Sequence, residues 1–138
     1  MILAIDQSSS DPIYLQIRAQ VVAAIAREEL QAGDRLPSVR SLASDLGVNL
    51  HTVNKAYAML RDEGYLVMRG RSGATVADVS RGASSEAAAR ADARVAESLR
   101  DLATECRARG VSRDDFMSLV ADQAALVYAG SSSDGKDV

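Results

Sequence analysis

Histidine and cysteine, the side chains most used as general base and thiol nucleophile, are scarce in this chain. There is one histidine, His51, and one cysteine, Cys106. A structural zinc site of the Cys/His type needs a closed set of such ligands, and nucleophilic catalysis needs a nucleophile, a base and an orienting group brought together. A lone cysteine forms no internal disulfide, and no glycine-rich phosphate loop occurs. No catalytic residues, no metal site and no cofactor are therefore expected, and Cys106 reads as a small hydrophobe.

Positive charge is what the sequence does concentrate. The chain carries a formal net charge of -3, yet between Arg35 and Arg71 six basic residues (Arg35, Arg40, Lys55, Arg61, Arg69, Arg71) stand against three acids (Asp45, Asp62, Glu63). That stretch is +3 and the remainder -6, or +2 if the count starts at Asp34. A basic island on an acidic protein suits phosphate binding at one place rather than coating of nucleic acid over the whole surface. Asn49, His51, Thr52, Asn54 and Lys55 lie inside the island and add the hydrogen-bonding groups that base edges and phosphates require.

The elements that must position these groups follow from apolar spacing. Asp11 is expected to cap a first helix with Pro12 at its first position, and Ile13, Ile17, Val21, Ala24 and Ile25 form its buried stripe as far as about Leu30. Gly33 and Asp34 make a turn, Leu36 is a core residue, and Pro37 with Ser38 starts a shorter helix bearing Val39, Leu42, Ala43 and Leu46 on one face. Gly47 ends it in a left-handed conformation, and Val48 leads into a third helix that begins near Asn49 to His51. That helix turns Val53, Ala56, Tyr57 and Leu60 inward and Leu50, His51, Asn54, Lys55 and Ala58 outward. Gly64 closes it, and two strands, Tyr65 to Arg69 and Ala74 to Val79, flank the turn Gly70-Arg71-Ser72-Gly73. Tyr14 and Tyr57 read as core residues, and the apolar start Ile2 to Ile5 as a short strand without an assignable partner.

The composition changes after this hairpin. Residues 80–85 form a small-residue linker, and a long Ala- and Arg-rich helix from Glu86 to Arg109 carries Val95, Leu99, Leu102 and Cys106 as a coiled-coil-like seam. Gly110 ends it, and Ser112 with Asp115 opens a last helix whose apolar face is Phe116, Leu119, Val120, Ala124 and Val127. Residues 130–138 read as a disordered tail. The fold class is thus mainly α with a small β-hairpin. Residues 1–79 form a winged helix-turn-helix, and residues 86–129 a two-helix dimerisation region that could also take an effector.

Length and composition set limits on this reading. With 138 residues there is no room for two full enzyme domains, and with 4% aromatic residues the core is built of Leu, Val, Ile and Ala. Such a core is thin, so helices that pack through Ala are expected to finish their burial against a second subunit. No apolar run of membrane-spanning length occurs, and the start MILAIDQSSS has no signal-peptide pattern, so a cytoplasmic location is expected.

The segments PIYLQI, GDRLPSVRSLASDLGVNLHTVNKAYAMLRDEGYL and RGRSGATV resemble the DNA-binding domain of the GntR family of bacterial transcription regulators, over about Asp11 to Asp78. The short two-helix tail is similar to that of the YtrA-like subfamily, in which it serves dimerisation. The resemblance implies a winged helix-turn-helix whose third helix enters the major groove. It places Arg40 at the arginine of the second helix that reaches DNA, Asn49, Leu50 and His51 at the start of the recognition helix, and Thr52 at a phosphate-contacting threonine. Asn54 stands where some relatives have a guanine-reading arginine, a departure that moves the expected preference toward adenine. Arg69, Gly70 and Arg71 match the wing tip, at the minor groove. Arg35, Ser38 and Lys55 complete the expected DNA-binding set.

One winged module makes too few contacts for a unique genomic site, so a homodimer on an inverted repeat is expected, with half-sites about one helical turn apart. Val95, Leu99, Leu102, Cys106, Phe116, Leu119, Val120 and Val127 would pack across its two-fold axis. The expected partners are double-stranded DNA, a second copy of the chain and a small-molecule effector. The expected role is a repressor of its own promoter and, as the resemblance implies, of transporter-type operons. The alternative is a winged-helix protein-interaction module without specific DNA binding, which Arg40, Thr52, Arg69 and Arg71 disfavour.

Overall fold

Pro12 opens the first helix of the computed structural model, which describes residues 3–70, 73–78 and 85–129. Helix α1 spans Ile13–Ala26, with Pro12 itself as the cap in an extended conformation and no side-chain cap. Asp11 therefore does not cap α1, contrary to expectation. The start lies one residue later because Pro12 is itself extended, at ψ 149°, and so takes the cap position in place of Asp11. The Pro12 carbonyl instead accepts from the Leu15 and Gln16 amides.

The far end of α1 also differs from the sequence expectation, stopping at Ala26 rather than near Leu30. Glu28 takes φ 64°. The Glu28 amide donates to the Ile25 carbonyl, and the Glu29 and Leu30 amides both donate to that of Ala24. This is a Schellman-type closure built without the usual glycine. It turns the chain so that Leu30 is buried in the core although it lies outside the helix.

Two glutamines explain the apolar start of the chain. Leu3–Ile5 is not a strand; its backbone runs beside α1 and pairs with side chains. Gln20 accepts from the Ala4 amide at 2.9 Å and donates to the Ala4 carbonyl at 2.7 Å. One turn earlier, Gln16 accepts from the Asp6 amide at 2.8 Å and donates to the Asp6 carbonyl at 3.0 Å. A primary amide offers one donor edge and one acceptor edge, like a strand neighbour. Residues four apart on a helix share a face and can hold alternate residues of an extended segment.

After the turn at Gly33, strand β1 (Arg35–Leu36) leads into α2 (Val39–Leu46) and α3 (Leu50–Asp62), followed by β2 (Leu66–Met68) and β3 (Ala74–Val76). The three strands form an antiparallel sheet in the order β1-β3-β2. The two expected strands pair as a hairpin, each shorter than expected, with Val79 and turn residues 71–72 outside the described residues; β1 adds a third strand, with Arg35 opposite Thr75 and Leu36 opposite Ala74. A strand of two residues is too short for alternation to reveal it.

The core lies between α1, α2, α3 and one face of the sheet. Ile17 and Val21 from α1 and Val53, Ala56, Tyr57 and Leu60 from α3 are all fully buried, joined by Leu36, Leu42, Leu66 and Val76. The third helix thus presents the expected inward set. Val48, at the turn between α2 and α3, is half-buried and packs at the edge of this core. A half-buried ion pair, Arg18 Nε to Glu63 Oε1 at 2.7 Å, ties α1 to the C-terminal end of α3.

The chain divides into two compact units, residues 1–87 and 88–138. The second contains most of α4 (Ser85–Ala108) and all of α5 (Arg113–Tyr128). Gly110 at φ 87° breaks the chain between them, and Ser112 Oγ accepts from the Asp115 amide at 3.1 Å to cap α5. Asp114 and Asp115 place negative charge in the first turn of α5, where the helix dipole favours it. No residue of α5 is buried, and Val95, Leu99 and Leu102 of α4 are exposed. Ser85, expected as the end of a linker, is the first residue of α4; the rest of that linker, residues 80–84, and the disordered tail expected at 130–138 lie outside the described residues.

Candidate nucleic-acid interface

The turn between α2 and α3 sets the geometry of the first unit's basic face. Ser38 caps α2 by accepting from the Ser41 amide at 3.1 Å. Gly47 ends α2 at φ 67°, and the Val48 amide closes the turn on the Ala43 carbonyl at 3.0 Å. Asn49 Oδ1 accepts from the His51 amide at 2.7 Å, so the asparagine caps α3. Inside the turn, the Tyr57 hydroxyl donates to the Pro37 carbonyl at 2.8 Å, fixing α3 to the entry of α2. Burial pushes this phenol up to about 12, which keeps it protonated as a donor.

The wing is fixed to the same corner. The Arg69 amide donates to the Gly73 carbonyl at 2.8 Å, and Arg69 Nε reaches Thr75 Oγ1 at 3.3 Å. Gly73 has φ 98°, and a Cβ on it would stand 3.0 Å from the Leu36 carbonyl oxygen and 3.4 Å from Ser38 backbone atoms. The base of the wing therefore lies directly against the backbone that leads into α2. Gly70, at φ 64°, has open space where a Cβ would be.

These contacts enclose an open recess of about 650 Å³ lined by Ser38, Val39, Arg40, Leu50, His51, Asn54, Met68, Gly70 and Gly73. Five residues expected to bind DNA (Ser38, Arg40, Leu50, His51 and Asn54) meet there with the wing's Gly70. Arg40, Leu50, His51, Asn54 and Gly70 are exposed, as are Asn49 and Arg69 nearby in sequence, while Thr52 is half-buried. Arg35 is not brought to this recess. It lines a separate one of about 420 Å³ with Leu3, Leu30, Pro37, Leu42, Asp45 and Leu46. Lys55 also stands apart: its Nζ lies 4.0 Å from the centroid of the Tyr14 ring on α1. Tyr14 is half-buried and packs against the core, as expected, while its ring also meets Lys55. Arg71 lies outside the described residues.

In the second unit, Val95, Leu99, Leu102, Leu119 and Val127 are exposed, and Cys106, Phe116 and Val120 are half-buried. Cys106 and Phe116 border a recess of about 410 Å³ at the turn between the helices, together with Ala103, Arg107, Val111, Ser112 and Arg113. Met117, Leu126 and Tyr128 extend the exposed apolar surface of α5 beyond the set read from the sequence. Among the described residues, no three His, Cys, Asp or Glu side chains form a group that could hold a metal ion, and no helix is long and apolar enough to cross a membrane.

Residues 13–76 match the family of bacterial regulatory proteins called gntR. Over 133 residues the chain is 32% identical to the HTH-type transcriptional repressor YtrA of Bacillus subtilis, covering 96% of this chain and 99% of that one. The chain belongs to the GntR family. The solved structure of YtrA from Sulfolobus acidocaldarius, described as a GntR-family transcription factor, is 36% identical over 91% of this GntR chain and 98% of its own, with a TM-score of 0.56. A transcriptional antiterminator from Listeria monocytogenes EGD-e shares the fold with a TM-score of 0.78, at 25% identity over 100% of this chain and 96% of that one. This GntR protein is a YtrA-like transcription regulator with a DNA-binding winged helix-turn-helix domain.

Sequence reasoning missed three residues of the GntR protein's recess. Val39 and Met68 contribute apolar walls, and Gly73 the close approach of wing and α2. Only Gly73 left a signal, as the second glycine of the hairpin; an apolar residue at the end of a two-sided strand carries none.

Proposed function

We propose that this GntR regulator is a homodimeric repressor that binds an inverted-repeat operator. The observation that carries the reading is the recess, where Arg40 of α2, His51 and Asn54 of α3 and Gly70 of the wing share one open, concave surface. Helix α3 enters the major groove there. Asn54 pairs its amide with an adenine edge, and Leu50 and His51 border the same bases. Arg40, Thr52 and Lys55 hold phosphates, with Ser38 and Asn49 setting the helix ends that approach the backbone. Arg69, Gly70 and Arg71 carry the wing to the minor groove, with Gly70 leaving room for close approach. Arg35, in its own recess, is left outside the set.

The helical unit supplies the second copy. Val95, Leu99 and Leu102 of α4 and Leu119 and Val127 of α5 are exposed apolar side chains that a partner would cover, continued by Cys106, Phe116 and Val120. Dimerisation fixes the distance between two recognition helices, and a small effector bound to the helical unit shifts that distance through different affinities for two dimer states. The targets are its own promoter and a transporter-type operon, so the protein works in the cytoplasm. The repressor sign is supported by the name of the Bacillus subtilis relative.

The test is a mobility shift of the purified protein on its own upstream DNA with excess unrelated DNA. A saturable dimer complex that resists competition is expected, and Arg40→Ala should weaken it. Binding no stronger than to unrelated DNA, or Arg40→Ala with unchanged affinity, would contradict the reading.

A further inference from the structure

Lys55 and Tyr14 are the pair that the recess does not absorb. On α3, successive side chains step by about 100°, so Asn54 and Lys55 point to different rims of the helix. Asn54 lines the recess beside α2 and the wing. Lys55 leans the other way, over α1, with its ammonium 4.0 Å from the Tyr14 ring centroid. A lysine on a helix surface samples many rotamers, and its attraction to an aromatic face removes much of that freedom. The ring covers one side of the ammonium and leaves its remaining N–H donors free, since a lysine has several and no acceptor.

We infer that Tyr14 is a positioning residue for DNA binding: its ring holds the Lys55 ammonium on the α1 side of the recognition helix, aimed at a backbone phosphate opposite the wing. The inference rests on the DNA-binding reading above and extends it. The two rims of α3 then divide the work, one reading bases in the recess and the other clamping the strand that lies beyond α1. Tyr14 itself touches no base. It acts through Lys55, and its phenolic oxygen has no part in the clamp.

The test uses the full-length protein and a short random-sequence duplex, with affinity followed by fluorescence anisotropy as salt is varied. Lys55→Ala should lower the magnitude of the log affinity against log salt slope by about 0.9 for each protomer bound, the amount expected when one phosphate is no longer neutralised. Tyr14→Leu keeps the charge, so the slope should stay near wild type while affinity falls about two- to fivefold per protomer. Tyr14→Phe keeps the ring and should retain wild-type affinity. In the Lys55→Ala background, Tyr14→Leu should have no further effect. A wild-type protein without salt-dependent binding would overturn the DNA-binding reading itself. Unchanged slope and affinity in Lys55→Ala would overturn the clamp alone. Loss of affinity in Tyr14→Phe, or an equal loss from Tyr14→Leu in both backgrounds, would overturn the positioning role.

Discussion

Replacing Gly73 by alanine should separate what holds the wing from what the wing touches. At φ 98° a non-glycine residue sits in sparsely populated backbone space, at a cost of about 1–3 kcal/mol. The new methyl would also stand 3.0 Å from the Leu36 carbonyl oxygen, a backbone atom that cannot swing away as a side chain can. Leu36 pairs with Ala74 and leads through Pro37 to the Ser38 cap, so strand, wing and α2 must all yield by a few tenths of an ångström. Conformation and crowding together should destabilise the protein by about 2–3 kcal/mol, at the upper part of the backbone range. With an m value of about 1–3 kcal/mol/M in urea, the midpoint should fall by about 0.7–3 M. Far-UV circular dichroism at fixed protein concentration reads this directly. Gly70→Ala is the control: φ is 64° and nothing lies within 4 Å of the added methyl, so only the backbone cost of about 1–2 kcal/mol applies. Its main loss should be in DNA affinity, because Gly70 lines the recess. A Gly73→Ala midpoint equal to or above that of Gly70→Ala would refute the close-approach reasoning.

Three further outcomes follow from named contacts. Tyr57→Phe removes the hydrogen bond to the Pro37 carbonyl and should cost about 1 kcal/mol in urea unfolding at neutral pH. Because burial raises the Tyr57 pKa from 10.0 to about 12, the folded state favours the neutral phenol. That contribution is complete below pH 10 and is lost as pH rises toward 12, so the variant should lose less stability than wild type across this window in alkaline titrations. Gln20→Ala deletes both bonds to Ala4 and should speed hydrogen exchange of the Ala4 amide while the Asp6 amide, held by Gln16, stays protected; equal protection of Ala4 would count against the glutamine clamp. Leu102→Asp puts a charge into the exposed seam of α4 and should shift sedimentation from dimer to monomer, whereas an unchanged sedimentation coefficient would remove the seam from the dimer interface.

Legibility of the fold in the sequence tracked how much each feature depends on period and punctuation. Helix α3 was readable because Val53, Ala56, Tyr57 and Leu60 recur at helical spacing, and all four are fully buried. Gly47 and Gly64 marked helix ends because left-handed backbone favours glycine, and both have positive φ. The same rule hid the end of α1, where Glu28 takes the left-handed position. The N-terminal segment looked like a strand lacking a partner because its partners are side-chain amides of Gln16 and Gln20, polar positions that a burial pattern treats as solvent-facing. The recess was legible through Arg40, His51 and Asn54, outward residues of two helices joined by a short turn. Arg35 was grouped with them by charge and proximity in sequence, but β1 carries it into the recess with Asp45. The Tyr14–Lys55 pair spans two elements far apart in sequence, and no local spacing announces it.

The central claim, that the surface around α3 and the wing reads a defined DNA sequence as a dimer, is tested most directly by selecting bound fragments from sheared genomic DNA of the source organism at moderate salt. A small set of fragments sharing an inverted repeat, with half-sites about one helical turn apart, is the predicted result. Enrichment of no sequence over the input, at salt concentrations where the protein still binds DNA, would contradict it.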